Sequence, residues 1–148
     1  MTDAIHSRLQ GLVIFAKSKE KVSAFYQQTL NLNVQESEKS HDLLVGDGQE
    51  VVIHAISKRY ADSIEIASPP EPREESALKP TFVVDDLARV RAAVKQTGGY
   101  LKPLKQAWRF RGMIVLDGWD PEGNIVQFKQ PDPEALGLGL IDCKYVSV

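Results

Sequence analysis

The chain has 148 residues, 43% hydrophobic and 26% charged, with a formal net charge of −2. That suits one globular domain able to bury roughly 70% of the surface its unfolded form exposes. The single cysteine, Cys143, excludes an internal disulfide and a multi-cysteine zinc cage, the charge offers no attraction to nucleic-acid phosphates, and no apolar run approaches the roughly 20 residues that span a bilayer.

In chain order, Met1–Arg8 lacks the apolar core of a secretory leader, so a cytoplasmic protein is expected. The run Gly11–Ala16 is rich in branched and aromatic residues and predicts a strand. Ser18 then stands where a helix needs a cap, and Val22, Phe25, Tyr26 and Leu30 follow at helical spacing. Short strands are predicted at Leu30–Val34, Asp42–Val45 and Glu50–Ile56, with Gly46-Asp47-Gly48 as a hairpin turn. Residues 57–77 contain Ser-Pro-Pro-Glu-Pro-Arg-Glu-Glu-Ser and read as a linker.

The second half repeats the order. A strand opens at Pro80, Asp86 is the cap, and Leu87, Val90 and Val94 have helical spacing up to the stop at Gly98-Gly99. Strands are predicted at Tyr100–Pro103, Gly112–Leu116 and Asn124–Lys129, with Asp120-Pro-Glu-Gly123 as a turn. An offset of 68 residues superposes Leu12–Leu32 on Pro80–Tyr100 and matches Val22 with Val90, Ala24 with Ala92, and Gln28-Thr29 with Gln96-Thr97. The expected architecture is α+β, a single domain of two equivalent βαβββ repeats, about 9–56 and 78–130. A Gly-rich tail at 131–148 follows, and Lys144–Val148 is a candidate extra strand.

With this order in hand, the chain resembles the vicinal oxygen chelate superfamily, which includes glyoxalase I, bleomycin-resistance proteins and extradiol dioxygenases. The resemblance rests on Leu12–Leu32 with its Phe25-Tyr26 pair, on Phe82-Val-Val-Asp-Asp-Leu87, and on Asp120-Pro-Glu-Gly-Asn-Ile-Val-Gln127. It implies curled mixed sheets enclosing a ligand cavity, often completed in a homodimer. It also implies metal-ligand positions, which fall here on Gly11, Val52, Lys79 and Gln127; a small shift of register brings His54 to the second of these. Glycine and valine supply no donor atom and a protonated lysine supplies only donors and charge, so the expectation is no metal and no other cofactor. If Gly11 and Lys79 face the cavity, strand alternation brings Val13, Phe15, Thr81, Val83, Val52, His54, Ile125, Gln127 and Lys129 inward. Leu12, Ile14, Ala16, Phe82, Val84, Val51, Ile53, Val126 and Phe128 then turn towards the helices.

The expected ligand-binding residues are Phe15, His54, Lys79, Trp108, Arg109, Arg111 and Gln127, without an assigned catalytic residue. Trp108-Arg109-Phe110-Arg111 is the densest aromatic and basic cluster; its planar guanidinium forks suit a carboxylate or phosphate on a small ligand. His6 and His41 read as solvated loop residues, and Trp119 as a packing residue beside the turn. Three functions stay open: small-molecule binding without a complete metal site; a metal-dependent lyase, isomerase or dioxygenase using His54 and Gln127; and a non-catalytic dimeric interaction module. The expected partners are a small-molecule ligand and a second copy, with neither nucleic acid nor membrane.

Overall fold

The computed structural model describes residues 3–135, so the expected strand at Lys144–Val148 and Cys143 lie outside the described residues. The first half runs β1 (Gly11–Ala16), α1 (Lys19–Leu30), β2 (Asn33–Ser37), β3 (His41–Gly46) and β4 (Gln49–Ala55), then a single turn α2 (Lys58–Ala61). The second half runs β5 (Thr81–Val83), α3 (Leu87–Thr97), β6 (Tyr100–Leu101), a 3-10 turn at Leu104–Gln106, β7 (Trp108–Phe110), β8 (Met113–Trp119) and β9 (Ile125–Pro131).

Each half makes one mixed sheet, and neither closes on itself. The first has the order β1-β4-β3-β2, with β1 parallel to β4 and the other pairs antiparallel. The second has the order β5-β9-β8-β6, with β7 also on β8, and β5 parallel to β9. β6 and β7 therefore share the position that β2 holds alone in the first sheet. Trp108–Phe110, read from the sequence as an aromatic and basic cluster and not among the predicted strands, pair with Val115–Met113 as an edge strand. Three residues are too few to show a strand period in the sequence.

The alternation of faces holds in β1, β3, β4, β5 and β9. Ala16, Val51, Ile53, Val126 and Phe128 are fully or almost fully buried, whereas Val13 (58%), Phe15 (60%) and Val83 (64%) are exposed on the opposite face. The buried set meets Val22, Phe25 and Tyr26 of α1 and Leu87, Val90 and Val94 of α3 in one continuous core. The two helices also pack on each other, so the halves share that core.

Helix ends explain where the predicted boundaries move. Asn31 caps α1 in the left-handed region (φ 54°), its amide bonded to the Gln27 carbonyl, so β2 starts at Asn33 and not at Leu30. Asp86 caps α3 as expected, its carboxylate accepting from the Ala88 amide at 2.8 Å. Ser18 occupies the cap position of α1, but its side chain makes no capping bond. The amides of Lys17 and Ser18 donate to Glu122 instead, at 2.8 and 2.7 Å. A carboxylate is the stronger acceptor and complements the positive end of the helix.

Two hairpins turn through paired positive-φ residues, Asp47 (50°) with Gly48 (75°) and Arg111 (50°) with Gly112 (76°), the arrangement that matches strand twist. The β8–β9 turn is longer and is organised by Asp120. Its Oδ1 accepts from the amides of Glu122 (2.9 Å) and Asn124 (3.0 Å), and its Oδ2 from Asn124 Nδ2 (2.8 Å) and Tyr26 Oη (2.9 Å). One turn thus ties the second half to α1 of the first, through both Tyr26 and the Glu122 cap.

The segment after α2 crosses the molecule without regular structure, but it is anchored. Arg73 donates twice to the turn, its amide to the Gly123 carbonyl (2.9 Å) and its Nε to the Glu122 carbonyl (3.2 Å). Trp119 Nε1 donates to the Pro70 carbonyl at 3.0 Å, and Lys17 Nζ donates to the Ile64 carbonyl. No helix among the described residues is long and apolar enough to cross a membrane.

Candidate functional site

A cleft of about 570 Å³ opens between the two halves beneath this anchored segment. Leu12, Val13, Ile14 and Phe15 of β1 form one wall; Lys79 and Pro80, Asn124 and Ile125 form the facing one; Ile64, Arg73, Ser76 and Leu78 come from the connecting segment. Ser76, Leu78, Lys79 and Ile125 also line an adjoining space of about 370 Å³ that reaches Lys102, Asp117 and Trp119. Another cavity of about 570 Å³ lies between the end of α1 and the start of α3, where Asp47, Asp85 and Asp86 gather. It sits at the helix ends, meets the open sheet face only at Val83, and holds none of the expected site residues. An apolar cleft with a few convergent polar groups is the usual form of a small-molecule site.

Of the seven expected site residues, Phe15 and Lys79 line the cleft and His54 and Gln127 do not. His54 lies on the first sheet in a row that crosses three strands. Phe15 and His54 are centred 5.5 Å apart, His54 stacks 6.5 Å from His41, and His41 Nε2 contacts the Glu36 carboxylate. His41 is therefore paired, and is not the free loop residue expected. His54 Nδ1 is 2.9 Å from the Ala55 carbonyl oxygen, which places a proton on that nitrogen.

Gln127 belongs to a polar group on the second sheet. Its Oε1 accepts from Thr81 Oγ1 and its Nε2 donates to Asp117 Oδ1, both at 3.1 Å; Lys79 Nζ donates to Asp117 Oδ2 at 3.0 Å. Register explains the grouping, because Thr81 and Asp117 are the partners of Gln127 on either side. Trp108 and Phe110 share this face, 40% and 52% exposed. The alternation turns Arg109 the other way, and its Nε reaches Asp132 at 2.8 Å. Arg111 stands in the hairpin turn, its guanidinium 5.6 Å over the Phe110 ring, and Lys129 Nζ lies at 5.6 Å from the same ring. The basic and aromatic cluster is therefore divided between two faces and a turn.

The superfamily's metal positions do not fit a divalent ion here. A side chain at Gly11 would collide with the Glu50 carbonyl oxygen, so no donor can stand there without a backbone shift. Lys79 brings a cation, and Gln127 is already engaged by Thr81 and Asp117. His54 is on the other sheet, and no group of three or more His, Cys, Asp or Glu able to hold a metal forms among the described residues.

Two buried acids behind the sheets titrate in opposite senses. Burial pushes the Asp120 carboxyl up despite its bonds from Asn124, the Glu122 amide and Tyr26. Burial, followed by the Asp120 charge, pushes the Tyr26 hydroxyl well above its usual range. At Asp42 burial also acts upward, but bonds from Lys19 (2.8 Å), Ser37 (2.6 Å) and Ser23 (2.7 Å), with the Lys19 charge, hold the carboxyl below its ordinary value.

Sequence reasoning missed Asp117 and Arg73. The predicted strand stops at Leu116, one residue short; the register of the β8–β9 hairpin is what puts Asp117 opposite Gln127. Arg73 carries no such signal, because its segment has no period and its position is set by the turn that it bonds.

No protein-family model and no curated protein sequence matches the chain. Solved structures do. The fosfomycin resistance protein FosX of Listeria monocytogenes is similar with a TM-score of 0.62 at 17% identity, covering 88% of this chain and 98% of that one. FosX of Mesorhizobium loti is similar at 0.61 and 14%, covering 89% and 99%. An integron cassette protein from the mobile metagenome of V. cholerae is similar at 0.58 and 16%, covering 87% and 98%. Identities this low carry the fold and nothing finer, and what they carry is clear: this chain has the fold of the vicinal oxygen chelate superfamily, to which these neighbours belong.

Proposed function

We propose that the protein binds a small organic molecule in the cleft between its two halves and does so without a divalent metal. The observation that carries this reading is the combination of an open, largely apolar cleft with two of the implied metal positions, Lys79 and Gln127, closed into a group with Asp117 and Thr81. A FosX structure of similar fold was obtained with Mn(II) and sulfate. The present donor set instead neutralises itself, one carboxylate against one ammonium, with both amide functions satisfied.

Calorimetric titration with Mn(II), Zn(II) and Ni(II) after chelation tests the metal half of the reading, and no stoichiometric uptake is expected. Uptake that disappears in a His54→Ala, Gln127→Ala double variant would establish a metal site and favour the metal-dependent reading instead. Binding screens begin with fosfomycin and other antibiotic-like molecules, with chelator present.

We also infer pairing of two copies. Val83 (64%), Phe110 (52%) and Trp108 (40%) leave apolar surface open on the second sheet, which a second copy would cover. Light scattering that finds only monomer at micromolar concentration contradicts this.

A further inference from the structure

We propose that the cleft selects a singly charged organic anion, its apolar body lying against Val13, Phe15 and Ile125 and its acidic group meeting Arg73 and Lys79. This rests on the cleft reading above and adds the chemical class of the ligand. The lining contains two cations, Arg73 and Lys79, and no aspartate or glutamate. Lys79 is already paired with Asp117, whose carboxylate lies in the adjoining space. Arg73 is different: only its Nε is engaged, by the Glu122 carbonyl, and it has no carboxylate partner among the described residues. Lys79 and Asp117 cancel, which leaves Arg73 as the one lining charge without an opposite partner among the described residues; a monoanion neutralises it and a dianion overshoots.

Geometry supports the same choice. The amide and Nε of Arg73 are both tied to the β8–β9 turn, at 2.9 and 3.2 Å, so the base of the side chain is fixed relative to the cleft. Its two terminal nitrogens make no hydrogen bond within the described residues, which leaves the planar fork available to a carboxylate or sulfonate. Val13 and Phe15 are 58% and 60% exposed, an apolar surface that a ligand body would take out of water. A cationic ligand meets repulsion from Arg73, and a neutral one leaves the Arg73 charge uncompensated.

Two dyes of nearly the same shape separate charge from apolar contact: anilinonaphthalene sulfonate and the uncharged N-phenylnaphthylamine. Fluorescence titration at low ionic strength is expected to show the sulfonate binding about fivefold tighter, the scale of an exposed charge pair. Arg73→Gln should bring the two dyes to parity by weakening the sulfonate alone, and Val13→Glu should weaken the uncharged dye. If both dyes bind the native protein equally and Val13→Glu still weakens the uncharged one, the anion assignment falls and the cleft stands. If Arg73→Gln weakens both dyes alike, Arg73 holds the segment and does not read charge, and the assignment again falls. If neither dye binds, or Val13→Glu leaves the uncharged dye unaffected, the cleft reading itself is overturned.

Discussion

Glu122→Ala is expected to destabilise the protein by about 2–3 kcal/mol, with Ser18→Ala changing stability by less than about 0.5 kcal/mol. Glu122 is 5% exposed and accepts from two amides, Lys17 at 2.8 Å and Ser18 at 2.7 Å. Hydrogen bonds to a charged partner contribute about 1.5 kcal/mol or more each, which sets the sum near 3 kcal/mol. Loss of the negative charge beside the first turn of α1 adds a few tenths to 1 kcal/mol. Water offsets part of this, because the Lys17 side of the site is open. Urea unfolding of the two variants, with Glu122→Gln as an intermediate that keeps one acceptor oxygen, gives the comparison directly. A Ser18→Ala loss near 1 kcal/mol, together with a Glu122→Ala loss under about 0.5 kcal/mol, would refute the reasoning. The helix would then be capped by its own serine, as the sequence pattern alone implies.

Asp42→Asn should cost about 3 kcal/mol at neutral pH, since it leaves the buried Lys19 ammonium without its charge partner. The folded carboxyl of Asp42 lies below its unfolded value of about 3.9, so its contribution is present above that value and lost as pH falls through the folded one. Native and variant stabilities should therefore converge below about pH 4; a gap of constant size down to pH 2 would count against the ion pair. Asp120 has the opposite linkage, but both proteins share it and it cancels in the difference. Gly99→Ala should cost at least about 2 kcal/mol, because a methyl group there would collide with the Phe25 ring edge and lie 2.7 Å from the Trp119 carbonyl oxygen. Thermal unfolding that shows no loss would mean α3 and β6 can separate from Phe25 without penalty.

What the sequence made legible was whatever repeats. A two-residue period sorted Val51 and Ile53 from Val52 and His54, and the burial of these strands follows it. The 68-residue offset carries the cap of the first helix, Ser18, onto the cap of the second, Asp86, and both positions hold. Features without a period stayed hidden. β7 is too short to show one, and the Glu122 cap joins residues more than 100 apart in sequence. The candidate site divides in the same way: Phe15 and Lys79 follow from strand alternation, whereas Arg73 enters through a proline-rich segment whose course depends on a distant turn. Arg109 shows the limit of composition. It belongs to the densest basic cluster in the chain, yet one step of strand alternation turns it away from Trp108 and Phe110 and onto Asp132.

Chain exchange between two copies is constrained by the Asp120–Asn124 turn. An intruding second half would have to offer Tyr26 its phenol acceptor and the first helix its anionic cap at the same instant, from the same five residues. The second half of an identical copy carries the same turn and would make the same contacts, so assemblies with traded halves gain nothing that the single chain lacks.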